Sequence, residues 1–179
     1  MYKERFTRLQ SEIFRLLCAK AGKRLNQREM ALLLKVSPTA VAAAIPALEK
    51  EELIKVERGE NINLNYVELN RDSARAIAFK RAENLKLVYE SGLSDFLYES
   101  FPGATIILFG SFSRGEDTIN SDIDIAIIGV KEKNKNLEAF EKKLERDISM
   151  NFYSSFKEIK KHLRNNILNG IVLAGSVDL

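Results

Sequence analysis

The stretch GSFSRGEDTINSDIDIAII, residues 110–128, decides how the second half of the chain folds. It begins where the apolar run ATIILF (104–109) stops, and it closes in a second apolar run that starts at Asp122. Short, almost wholly apolar runs of this kind read as internal strands. Between them, Gly110 lets another group approach the backbone closely. Ser111 supplies a hydroxyl. A helix or tight turn starting there would aim free backbone N–H groups outward, where phosphate oxygens are held. Ser113 and Arg114 are placed to add contacts, or Arg114 is simply solvated. Side chains alternate along a strand, so Asp122 and Asp124 share one face, about 6–7 Å apart, while Ile123 and Ile125 point into the core. Two such carboxylates suit Mg²⁺, a hard ion that is held together with substrate phosphates. A phosphate-holding turn beside a carboxylate pair implies metal-assisted nucleotidyl or phosphoryl transfer.

The segments on either side fit an α/β pattern around a small mixed sheet. Downstream, Leu137, Phe140 and Leu144 mark a helix, and DISMNFY (147–153) alternates Ile148, Met150 and Phe152 as a third strand. Ser155 and Glu158 read as a capping box for a helix carrying Phe156, Ile159, Leu163 and Ile167. Upstream, residues 71–101 read as a helical connector, capped by Asp72, with an apolar stripe of Ala74, Ile77, Ala82, Leu85 and Val88. Gly92 breaks it, LSDFLYESF adds a short helix, and Pro102-Gly103 ends that helix.

Gly110-Ser111, a ten-residue gap and Asp122-Ile123-Asp124 together resemble the minimal nucleotidyltransferase family of the polymerase-beta-like superfamily, over roughly residues 84–175. The resemblance implies that Gly110 and Ser111 engage a nucleoside triphosphate, with ATP the expected one. It implies that Asp122 and Asp124 bind Mg²⁺ and carry the catalysis, passing a nucleotidyl group (AMP) to a protein or small-molecule acceptor. A small helical toxin-like protein is the partner the resemblance suggests. No Gly-Lys-Ser/Thr follows, so this is not a Walker-type loop. Active members usually add a third carboxylate between two hydrophobic residues on a neighbouring strand. The matching slot here is Ser149, between Ile148 and Met150, with Asp147 two residues earlier on the same face. Without that carboxylate the two-metal arrangement is incomplete, and nucleotide binding survives more easily than turnover.

The first third reads as three helices and a hairpin. Phe6, Leu9, Ile13 and Leu16 recur at helical spacing, and Gly22 closes that segment. Asn26 with Glu29 opens a second helix, and Ser37 with Pro38 opens a third, which Pro46 is expected to kink or end. LIKVE and INLNYVEL read as strands around RGEN, with Ile62, Leu64 and Tyr66 on the buried face. This order resembles a winged helix-turn-helix over roughly residues 5–70, on VSPTAV and LEKEELIKVERG. The resemblance would place the third helix in a DNA major groove. Yet no Arg, Lys, Asn or Gln stands between Ser37 and Glu49, and Thr39 is the one clear polar side chain after the cap. Two readings therefore stand: a DNA reader working through backbone contacts with Lys55, Arg58 and the wing asparagines, or a surface for dimerisation or partner docking. The expected fold class is thus α+β, a winged helix-turn-helix domain at 1–70 followed by a small α/β domain at 71–179.

The whole chain bounds these readings. Its 179 residues suffice for two small domains, and 45% hydrophobic with 30% charged residues is the balance of a folded globular protein. No apolar run approaches the roughly 20 residues that span a bilayer, and the N-terminal MYKERFTRLQSEIFRLL lacks a signal-peptide core. A single cysteine, Cys18, excludes a disulfide framework and suits a reducing cytoplasm, and its place on an apolar helix reads as core filling. A net charge of +3 permits nucleic-acid binding without arguing for it. The lone His162 reads as an exposed helix residue, and no Cys/His cluster has zinc spacing.

Overall fold

The computed structural model describes residues 6–58 and 65–178. Two compact units divide the chain, Met1–Lys80 and Arg81–Leu179.

The first unit carries α1 (Arg8–Ala19), β1 (Leu25–Asn26), α2 (Gln27–Leu34), α3 (Pro38–Lys50), β2 (Ile54–Arg58) and β3 (Asn65–Leu69). Side chains start each helix. Thr7 and Gln10 form a capping box for α1. The Asn26 side chain accepts from the N–H groups of Arg28 and Glu29, both at 3.0 Å, while Glu29 accepts the Asn26 N–H at 2.7 Å. Ser37 Oγ accepts from Ala40 at 3.1 Å, and Pro38 takes the first position, where its missing N–H costs nothing. Lys35 ends α2 in the left-handed region, and α3 leaves at 108° to α2, the angle of a helix-turn-helix pair. The strands form an antiparallel sheet in the order β1-β3-β2. Ile13, Leu17, Met30, Val41, Leu48 and Val67 fill the core between helices and sheet. Cys18 is buried in this core. The architecture is a winged helix-turn-helix.

Two local expectations change here. Helix α3 does not end at Pro46 but runs on to Lys50. An interior proline costs about 3 kcal/mol, while burying an aliphatic side chain returns roughly 1.5–3 kcal/mol. Val41, Ile45 and Leu48 are all buried on this helix, and Pro46 sits on its exposed face. In β3 the buried face is Val67 and Leu69, and Tyr66 is 41% exposed. The register explains it: Val67 pairs with Val56 and Leu69 with Ile54, which aligns the apolar face, while Tyr66 stands opposite Glu57. The expectations for Ile62, Leu64 and the turn around Gly59 lie outside the described residues, as does the side chain of Arg58.

Helix α4 (Ala74–Ser91) follows. Its first turn is capped by Ser73, whose Oγ accepts from Ala76 at 3.3 Å; Asp72 pairs instead with Lys55. The buried row is Ala76, Lys80, Asn84 and Val88, while Ala74 and Ala82 are exposed. A stripe chosen by apolarity therefore misses two polar side chains that the helix buries.

The second unit continues with α5 (Leu93–Ser100), β4 (Thr105–Phe109), α6 (Gly110–Arg114), β5 (Ile123–Ile128), α7 (Glu138–Leu144), β6 (Ile148–Tyr153), α8 (Lys161–Leu168) and β7 (Ile171–Ala174). Its sheet runs β6-β5-β4-β7; β5 and β6 are parallel and the other pairs antiparallel, so the sheet is mixed. One face, with Ile106, Leu108, Ile123, Ile125 and Ile127, packs with Val88, Leu93 and Leu97. The other, with Ile107, Phe109, Ala126 and Ile128, packs with Phe156, Ile159 and Ile167. Both faces are covered, which is why β4 and β5 read as nearly continuous apolar runs.

The expected capping box at Ser155 does not form. Phe156–Glu158 is a short 3₁₀ turn without a side-chain cap bond, Ile159 is extended, and α8 begins only at Lys161. The edge strand β7 was not expected. A run as short as IVLA has no periodicity by which to tell strand from helix. Among the described residues no single helix is long and apolar enough to cross a membrane.

Candidate functional site

Asp124 is the second residue of β5, paired across the sheet with Phe109 on β4 and with Ser149 on β6. Strand alternation puts it on the face of Ala126 and Ile128, at the end where β4 gives way to α6. The junction is Gly110, at φ 76°. A Cβ at Gly110 would collide with Asp124 Oδ2 and lie 3.1 Å from its Cγ. Glycine is thus required twice, once for the left-handed backbone and once so that the carboxylate can lie against the turn.

The turn is held from within. Ser113 is buried and donates to the Gly110 carbonyl at 2.9 Å, so it braces the turn and does not face a ligand. Arg114 is not simply solvated: Nε donates to Glu116 and Nη1 to Asn166 of α8, both at 2.8 Å. Ser111 is half-buried, and among the described residues its hydroxyl has no hydrogen-bond partner.

Asp122 is exposed and Asp124 half-buried. Among the described residues neither carboxylate makes a hydrogen bond or ion pair. Burial pushes the Asp124 carboxyl above its ordinary range, the Asp122 charge pushes it further, and Arg114 partly offsets both. Two neighbouring carboxylates that repel each other and have no ion-paired cation among the described residues are a donor set that fits a divalent cation.

The two residues of β6 separate clearly. Ser149 stands directly opposite Asp124. Asp147 lies before the strand, and its carbonyl accepts from Ile123 N–H at 2.8 Å. Asp147 is exposed and lines, with Asp122, Glu141 and Glu145, a depression of about 540 Å³. Among the described residues no three His, Cys, Asp or Glu side chains group as a metal-holding set.

A buried brace behind the site was not legible in the sequence. Asn84 of α4 donates to Asp117 Oδ1 at 2.7 Å and to the Phe112 carbonyl at 2.8 Å. Arg146 approaches Asp117 Oδ2 at 3.8 Å, and both side chains are almost wholly buried. The brace ties the loop that leads to Asp122 to the residue next to Asp147.

Gly110→Ala should cost about 2 kcal/mol or more, because a non-glycine left-handed residue costs roughly 1–2 kcal/mol before any collision. Gly92→Ala is the comparison: φ is 83° there, and nothing lies within 4 Å of the added Cβ. Thermal unfolding of both variants should show Gly110→Ala as clearly the more damaging. Equal losses would mean that Asp124 does not constrain position 110.

Residues 90–174, a little under half of the chain, match a family model described as a nucleotidyltransferase domain. No curated protein matches the chain. Among solved structures, the adhesin competence repressor (AdcR) from Streptococcus pyogenes is 23% identical, covering 54% of this chain and 68% of that one, at a TM-score of 0.41. A cysteine-to-serine mutant of ZitR from Lactococcus lactis is 26% identical, covering 56% of this chain and 66% of that one, at a TM-score of 0.40. Such scores are too low to define a shared fold.

Proposed function

We propose that the second unit is a Mg²⁺-dependent nucleotidyltransferase-type module. It binds a nucleoside triphosphate, ATP first among candidates, at Gly110, Ser111, Asp122 and Asp124, and passes the nucleotidyl group to an acceptor. The observation that carries this reading is the unpaired Asp122–Asp124 carboxylate pair, with Asp124 lying against the glycine turn. The family match over residues 90–174 supports it. Mg²⁺, held by the two aspartates, would neutralise triphosphate charge. Gly110 keeps the turn open beside Asp124, and the Ser111 hydroxyl is free to meet a phosphate oxygen. In the transfer, the acceptor oxygen bonds to the α-phosphorus as the bridging bond to the β-phosphate breaks. Pyrophosphate leaves with the electron pair, and the acceptor proton passes to solvent.

The acceptor is a protein or a small molecule, and a small helical partner protein is the first to try. Incubation with α-labelled ATP and Mg²⁺ should transfer label to such a partner. No transfer from wild type, with Asp122→Ala binding nucleotide equally well, would sink the reading.

A second reading, a DNA-binding regulator that senses nucleotide, is favoured by the serine opposite Asp124. With so few base-reading side chains on the third helix, this DNA binding would be nonspecific and salt-sensitive. Arg24 pairs with Glu57 and Glu68, Lys55 pairs with Asp72, and no charged residue lies between Val36 and Leu48. A gel shift at about 50 mM salt should show binding that is lost by about 200 mM. Its absence at the lower salt would remove the regulator reading.

A further inference from the structure

We propose that the Asp122–Asp124 site takes one divalent cation, and that Ser149 sets that number. The proposal rests on the nucleotide-site reading above and specifies its metal content.

Two divalent cations can sit about 3.5–4 Å apart only if anionic ligands offset their mutual repulsion. On β5 the site offers Asp122 and Asp124. Paired parallel strands run about 4.8 Å apart with partner side chains on the same face, so the nearest place for a third carboxylate beside Asp124 is the residue opposite it. That residue is Ser149, a neutral hydroxyl, and the next residues on that face of β6, Asn151 and Tyr153, are neutral too. Asp147 does not fill the gap. It lies one residue before the strand, level with Asp122, exposed, in the depression it shares with Glu141, Glu145, Lys142 and Arg146. It stands beside Asp122, two residues along the chain from the position opposite Asp124. One cation is enough to hold a triphosphate against two carboxylates; a second is what would bind and activate an attacking oxygen. The site is therefore built to retain a nucleoside triphosphate more readily than to consume it.

The test counts Mn²⁺ by electron paramagnetic resonance, on the full chain saturated with a nonhydrolysable ATP analogue, and follows nucleotide binding separately by fluorescence. Wild type should bind one Mn²⁺ per chain, Ser149→Asp two, and Ser149→Asn one. The asparagine variant matches the size of the introduced side chain without its charge and so separates charge from misfolding. Two Mn²⁺ in wild type, falling to one in Asp147→Asn, would overturn the proposal and assign the second position to Asp147. One Mn²⁺ in a folded Ser149→Asp variant would overturn it as well. Wild type that binds neither nucleotide nor Mn²⁺ would instead remove the nucleotide-site reading.

Discussion

Asp124→Asn should lower Mg²⁺-dependent nucleotide affinity by about 100-fold, roughly 2.7 kcal/mol, while making the ligand-free protein more stable. Both effects follow from one fact: Asp124 is held partly out of water beside another carboxylate, with no hydrogen-bonded partner among the described residues. Its carboxyl is therefore raised above its unfolded range. The stability contributed by such a group is fully present below the unfolded pKa and is lost as pH rises through the folded one. At neutral pH the ligand-free wild type should accordingly melt below Asp124→Asn, and the gap should close in acid, where the carboxyl is protonated. Mg²⁺ with nucleotide should reverse the order by stabilising wild type alone. Asp95→Asn, on the exposed face of α5, should leave the nucleotide affinity unchanged. Thermal melts across pH, with and without ligand, check all of this. A ligand-free variant less stable than wild type at neutral pH would contradict the account.

Asp117→Ala should be strongly destabilising. Asp117 accepts from Asn84 and faces Arg146, both buried with it. Removing one member of a buried charge pair costs about 3–5 kcal/mol, because the other charge keeps its desolvation penalty and loses that compensation. Against a typical total of roughly 5–15 kcal/mol, this is a large fraction. The transition midpoint should fall by roughly 10–20 °C. Asp117→Asn keeps an acceptor for Asn84 and should lose less. If Asp117→Ala melts within a degree or two of wild type, the pair contributes little and the loop before Asp122 is held by other contacts.

The features legible in the sequence were those specified by neighbouring residues. The helix starts at Asn26 and Ser37 were readable because a cap depends on three or four consecutive residues. The spacing of Gly110, Asp122 and Asp124 was readable because a strand fixes which side chains share a face. The failures came where distant partners decide. Pro46 stays helical because of what the rest of α3 buries. Tyr66 turns outward because β2 sets the register of β3. Lys80 and Asn84 are buried where a stripe chosen by apolarity would place none of their kind. At the site, Ser149 was identifiable as the odd residue in its strand, but its place directly opposite Asp124 is a matter of pairing. The Asn84–Asp117–Arg146 brace joins three segments far apart in the chain and leaves no local signal.

Gly110 and Asp124 contend for a single volume, and this makes them one unit of substitution. Any side chain at position 110 must displace the carboxylate, so shortening position 124 should absorb part of the damage. Gly110→Ala combined with Asp124→Ala should be less destabilising than the two separate losses added together, with a coupling of roughly 0.5–3 kcal/mol. The part that remains is the cost of a left-handed backbone at φ 76°, which no change at position 124 can relieve. Substitution at the two positions is thereby coupled: a variant that gives up the aspartate relaxes the steric constraint on the glycine, and one that keeps the aspartate must move its carboxylate to accept any side chain at position 110.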